Sequence, residues 1–193
     1  MGFPRFNEDS YAHFVTTKTH QGQRVFDDAM CCRILVNNLQ FYARCYAFDL
    51  IAYCVMPDHL HCIIQWDVER HPTFTISKIV QSVKSHSAKE IAVYQKSGRR
   101  KLSLSPFSAA SEGSRLPAGY QWTDRGDVHT PAKYHIWQPS FYDFNVYSEQ
   151  KLRQKIEYIH WNPVRAGLCK QPKDWQWSSY RQVEGGVGVS IIG

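Results

Sequence analysis

Two histidines lie two residues apart in the stretch YCVMPDHLHCIIQW, residues 53–66. The run around them is apolar and β-branched, and side chains at i and i+2 of a strand share one face. His59 and His61 would then present two imidazoles side by side, an arrangement suited to Zn, Mn, Fe or, less willingly, Mg. Two imidazoles do not complete a coordination sphere. A His-x-His pair is also an ordinary sight at a sheet edge, where histidine is a satisfied polar residue. Chemistry requires a third ligand and a reactive group from elsewhere in the chain.

The sequence SEQKLRQKIEYIHWN, residues 148–162, offers both. Leu152, Ile156 and Ile159 fall at i, i+4 and i+7 and predict the core-facing stripe of a helix. Lys151, Lys155, Tyr158 and Asn162 fall at i, i+4, i+7 and i+11, a second stripe on its flank. Tyr158 supplies an oxygen nucleophile whose phenolate nearby ammonium groups favour. Asn162 supplies an oxygen suited to a hard divalent cation. An amphipathic helix with a solvated lysine face and a half-buried tyrosine would show the same spacing. The presence of both patterns in one chain tilts the balance toward a site. His160 can be read either as packing or as a contact to a partner.

The elements that must position these groups follow from the pattern. A first strand is predicted over 11–20, a helix over 29–44, and strands over 45–56 and 59–66 joined at Pro57 and Asp58. That short connection makes an antiparallel hairpin, with both histidines just past the bend. Ile76, Ile79, Val80 and Val83 mark a helix over 74–96. Residues 97–132 dissolve into Gly, Ser, Arg, Pro and charge, a length that is usually functional or mobile. Aromatic extended chain resumes over 134–147. The helix over 148–162, with Ser148 as N-cap, is followed by PVRAGLC, a short helical turn closed by Gly167. The order describes an α+β sandwich with a mainly antiparallel sheet.

Bulk properties narrow the partner. The chain has 193 residues, 43% hydrophobic and 21% charged, an ordinary globular balance rather than a disordered one. Lys and Arg outnumber Asp and Glu by 23 to 17, for a net charge of +6. That surplus, with six Trp and eleven Tyr, suits a nucleic acid, although a basic protein without a polyanionic partner has the same composition. Arg99, Arg100 and Lys101, in KSGRRK, are a candidate phosphate contact, as are Lys151 and Lys155. Trp122, Trp137, Trp161, Trp175 and Trp177 are candidates for base stacking, with core packing the commoner role. None of the six cysteines is spaced CxxC, which makes zinc-finger and redox readings weak. No signal-like or membrane-spanning run is present, so the expected location is cytoplasmic.

MPDHLHCII, IWQPSFYDF, YIHWNPVRAGL and DWQWSSY, in this order, resemble the single-tyrosine HUH transposases. Among these they look most like the REP-associated tyrosine transposases of the insertion-sequence-200-like superfamily. The likeness runs from Tyr11 to about Tyr180. It implies a ferredoxin-like HUH fold in one domain over 1–193, with a docking segment at about 170–193. The insertion at about 97–132 is longer than the connection the family has there. The resemblance also implies Mg²⁺ or Mn²⁺ held by His59 and His61, with Asn162 as third ligand. Tyr158 would be the nucleophile that cleaves single-stranded or hairpin DNA, leaving a 5′-phosphotyrosine and a free 3′-OH. REP-like palindromes are the implied substrate, at the nucleoid, with the enzyme a monomer or homodimer. Two other readings stand beside this one. A replication initiator or relaxase shares the chemistry but usually carries further domains. A hairpin-binding protein that has lost cleavage would share the fold.

Overall fold

The computed structural model describes residues 11–97 and 135–184. The 97–132 insertion, with Arg99, Arg100, Lys101 and Trp122, therefore lies essentially outside the described residues, as does the tail beyond 184. Four strands form the sheet: β1 (Ala12–Lys18), β2 (Phe48–Met56), β3 (His59–Trp66) and β4 (Tyr142–Val146). Their spatial order is β2-β3-β1-β4, and every neighbouring pair is antiparallel. Helices α1 (Ala29–Cys45) and α2 (Ile76–Lys96) cover one face. Helix α3 (Glu149–Arg165) covers the other, and a short α4 (Tyr180–Glu184) follows.

The period-2 alternation of the strands sorts two cores. On β3, Leu60, Cys62 and Ile64 turn toward α1 and α2, whereas Ile63 joins Ile159 of α3. On β1, Val15 takes the first side and Ala12 and Phe14 the second. A bulge between Leu50 and Ala52 of β2 switches faces, placing Leu50 in the first core and Ala52 in the second. The predicted stripe of Ile76, Ile79, Val80 and Val83 is buried in the first core. Full burial of one such aliphatic side chain is worth about 1.5–3 kcal/mol. Tyr46, the C-cap of α1, and Asn38 within it add hydrogen bonds to Ser82 and Glu90 of α2.

Each long helix begins on a side-chain cap: Asp28 accepts from the Met30 N–H, Thr75 from Lys78 and Ser148 from Lys151. The separate helical turn expected over PVRAGLC is corrected by the structure. Pro163 lies inside α3, which continues to Arg165. Proline near a helix C-terminus forfeits only one backbone bond, and its ring is buried here. Gly167, at φ +70°, then closes the helix: its N–H donates to Val164 O, and the Leu168 N–H donates to Pro163 O. The extended segment expected over 134–147 is a regular strand only from Tyr142. Before it, the Lys84 ammonium donates to three successive carbonyls, those of Gln138, Pro139 and Ser140.

The segment 175–179 runs along the outer edge of β2. Val55 N–H donates to Trp177 O, Trp175 Nε1 donates to Val55 O, and Ser179 N–H donates to Tyr53 O. His160 of α3 is 4% exposed and hydrogen-bonds Ser179 Oγ, which also accepts from the Tyr53 N–H. His160 is thus packing, fastening α3 to that segment. Trp137 is core, Trp175 and Trp177 are half-buried, and Trp161 is 41% exposed on α3.

Candidate active site

The Pro57–Asp58 bend joins β2 to β3 with no intervening slack, since Met56 and His59 are register partners. His59 and His61 point to the α3 side, and their ring centroids are 4.7 Å apart. A hydrogen bond holds each ring by Nδ1. His59 Nδ1 meets Asp58 Oδ1 at 2.6 Å, and His61 Nδ1 meets Thr16 Oγ1 at 2.7 Å. Thr16 is the cross-strand partner of His61 on β1. In the tautomers that leave the Nε2 lone pairs free, the Nδ1–H groups donate to these oxygens. That is the usual outer support of metal-ligating histidines.

His61 is 5% exposed. Burial pushes it down to about 3, and the positive charge of His59, Lys155 and Lys18 adds to the effect against a small opposing pull from Asp58. A neutral imidazole is the form that ligates a metal. Both rings therefore fit a divalent cation in their outer support, and His61 in its charge. Among the described residues, no group of three or more His, Cys, Asp or Glu could hold an ion. The carboxamide of Asn162 is the third ligand that the sequence resemblance implies. Asn162 lies half-buried on α3, one turn past Tyr158.

Tyr158 meets His61 edge-on, with ring centroids 5.5 Å apart, and meets Phe14 at 6.0 Å. It is 40% exposed, above neighbours Phe14 and His61 that are buried. Ile159, the next residue, is fully buried against Ile63 and fixes the rotation of α3 over the sheet. Lys155 lies with its ammonium 4.3 Å from the Phe14 ring centroid, 4.8 Å from that of Phe144 and 5.9 Å from that of Tyr158. Lys151 starts the same stripe one turn earlier, in the capped first turn of α3.

The structure thus brings His59, His61, Tyr158 and Lys155 into one cluster. Four contributors escaped the sequence reading. Thr16 and Asp58 hold the imidazoles. Lys18 is the register partner of His59. Arg165 carries its guanidinium 5.5 Å from the Tyr158 ring centroid, on a final helical turn that Pro163 had disguised. Its spacing of i+7 from Tyr158 was the available signal.

The family described as Transposase IS200 like matches residues 7–107, just over half of the chain, which includes both histidines and ends before α3. A Haemophilus influenzae protein carrying the provisional name REP-associated tyrosine transposase is 22% identical over 138 residues, covering 71% of this chain. The REP-associated tyrosine transposase of Escherichia coli K12 is 33% identical over 55 residues, 28% of this chain. The matches span 61% and 33% of the length of those two relatives. Among solved structures, a REP-associated tyrosine transposase bound to a REP hairpin superposes with a TM-score of 0.61 at 19% identity. That likeness covers all of this chain and 92% of the other, and establishes a shared fold.

Proposed function

Because the chain belongs to the IS200-like transposase family, we propose that it is a REP-associated transposase that cuts and rejoins single-stranded or hairpin DNA through Tyr158. The observation that carries this reading is the edge-on contact of Tyr158 with His61 within one chain. In this reading the nucleophile and the imidazole pair come from one chain.

DNA enters along the open side of α3, where Lys155, Arg165 and Lys18 offer positive charge to its phosphates. The Tyr158 hydroxyl attacks phosphorus, losing its proton to solvent. The phosphorus–O3′ bond breaks, and the departing 3′ oxygen takes up a proton to become a free 3′-OH. The DNA 5′ phosphate stays on Tyr158 as a phosphodiester, so rejoining to another 3′-OH needs no external energy source. A divalent cation, Mg²⁺ or Mn²⁺, would be held by Nε2 of His59 and His61 with the Asn162 carboxamide, and would supply Lewis-acid polarisation of the scissile phosphate. Thr16 and Asp58 keep the two rings aimed, and the buried Phe14 excludes water from beneath Tyr158. Such a protein acts in the cytoplasm, at the nucleoid. Among the described residues no helix is long and apolar enough to cross a membrane.

The test is incubation with single-stranded hairpin DNA carrying REP-like palindromes in Mn²⁺. A covalent protein–DNA adduct should form, vanish in EDTA and vanish in Tyr158→Phe, which keeps the fold and the binding. An adduct that persists in Tyr158→Phe assigns the nucleophile to another tyrosine. Hairpin binding with no adduct would instead make the protein a binder that has lost cleavage.

A further inference from the structure

Tyr142 opens β4 and stands 56% exposed, one of the most exposed large aromatics among the described residues. It lies on the α3 side of the sheet, since its ring meets the buried Phe14 edge-on at 6.4 Å. Its register partner on β1 is Thr16, whose other partner is His61 on β3. Tyr142, Thr16 and His61 therefore form one row across three strands. Adjacent strands lie about 4.7–4.9 Å apart, which puts Tyr142 and His61 about 10 Å apart along that row. Phe14 sits in the angle between them and touches His61, Tyr142, Tyr158 and Lys155. The mechanism above uses three of those four neighbours and leaves Tyr142 without a task.

We infer that Tyr142 is a stacking platform for one unpaired nucleobase of the DNA strand that runs past Tyr158, an assignment that rests on the transposase reading. A phosphate beside Tyr158 is flanked by Lys155 and Arg165, and the nucleoside attached to it reaches outward by roughly the span of the row. A flat, exposed ring at that distance meets the face of a base. Stacking needs no particular base, because every base has a π face. The platform would fix the strand's position along the sheet without reading its sequence. The ring is exposed in the free protein because its partner is the substrate. Its backbone is pinned by pairing with Thr16, so little ordering is lost on contact.

The test scans a hairpin oligonucleotide with one abasic nucleotide at each unpaired position, measuring affinity for the wild-type chain, Tyr142→Ala and Tyr142→Phe. On intact DNA, Tyr142→Ala should lose about 5- to 150-fold in affinity, while Tyr142→Phe, which keeps the ring, should stay near wild type. At one position the abasic substitution should cost the wild type a similar factor and cost Tyr142→Ala nothing further. Cleavage mapping should place that position beside the phosphate joined to Tyr158. If Tyr142→Ala binds intact DNA as wild type does, or its loss simply adds to the abasic loss at every position, the inference is overturned. The binding scan stands apart from cleavage. Coupling at one position without any adduct would keep the platform and sink the transposase chemistry, whereas an adduct with no coupling would do the reverse.

Discussion

Replacing Thr16 by valine would remove one hydroxyl and nothing else of consequence. Valine keeps the β-branched shape that β1 accommodates, and the change leaves His61 Nδ1 facing a methyl group in place of an oxygen 2.7 Å away. His61 is only 5% exposed, so water reaches that nitrogen poorly. Leaving a buried polar group unpaired costs about 1–3 kcal/mol. The ring can escape part of the cost by turning or by moving its proton to Nε2, and either escape spoils Nε2 as a ligand. Loss of such outer support typically weakens metal binding or activity about 10- to 100-fold. Titrating Mn²⁺ into the DNA-free protein by calorimetry, and separately following adduct yield against Mn²⁺, should show both curves displaced by a factor in that range. The displacement should be smaller in Thr16→Ser, which retains the hydroxyl. Unchanged Mn²⁺ affinity and adduct half-saturation in Thr16→Val would refute the idea that β1 tunes the imidazole pair. An equal loss in Thr16→Ser would refute it as well.

Arg165→Gln and Lys155→Gln should each weaken DNA binding and lower its salt slope by about one, as read from affinities between low and moderate salt; unchanged slopes would mean neither cation meets a phosphate. At Lys84, burial pushes the ammonium down to about 8 from the usual 10.5. Between those pH values the unfolded chain holds a proton that the folded chain has released, so the Lys84 contribution to stability rises with pH across the window. Urea midpoints at steps from pH 7.5 to 10 should show a rise in the wild type relative to Lys84→Met, and parallel profiles would refute the shift. Ile159→Ala, at a fully buried position, should cost about 2–5 kcal/mol in urea unfolding, with a cost under 1 kcal/mol showing that α3 is not anchored there.

What could be read in the sequence was whatever one local period encodes. The two histidines were visible because a strand repeats every two residues, and Tyr158 because a helix repeats every 3.6. The supports of the site were not visible, because they depend on register between distant strands. Thr16 precedes His61 by 45 residues, and nothing near either residue announces that β1 lies between β3 and β4. Tyr142 was hidden for the same reason: an exposed aromatic at a strand end means little until its row is known. Arg165 was lost to a local rule correctly applied, since proline usually ends a helix, but the closing bonds of Gly167 and Leu168 hold one more turn together. His160 could not be decided from the helix alone. Its partner, Ser179, belongs to the segment on the β2 edge.

The order of the parts along the chain has a consequence for biosynthesis. The imidazole pair is complete once β3 has been made, whereas Tyr158 follows His61 by 97 residues (158 − 61). At ribosomal rates of about 5–20 residues per second, the two are separated by roughly 5–20 s. During that interval three strands and two helices can fold around one face of the sheet, while the face bearing the histidines has no helix over it. A nascent chain at that stage carries the imidazole pair but not yet Tyr158. Only when α3 settles onto Ile63 does Tyr158 come to lie against His61.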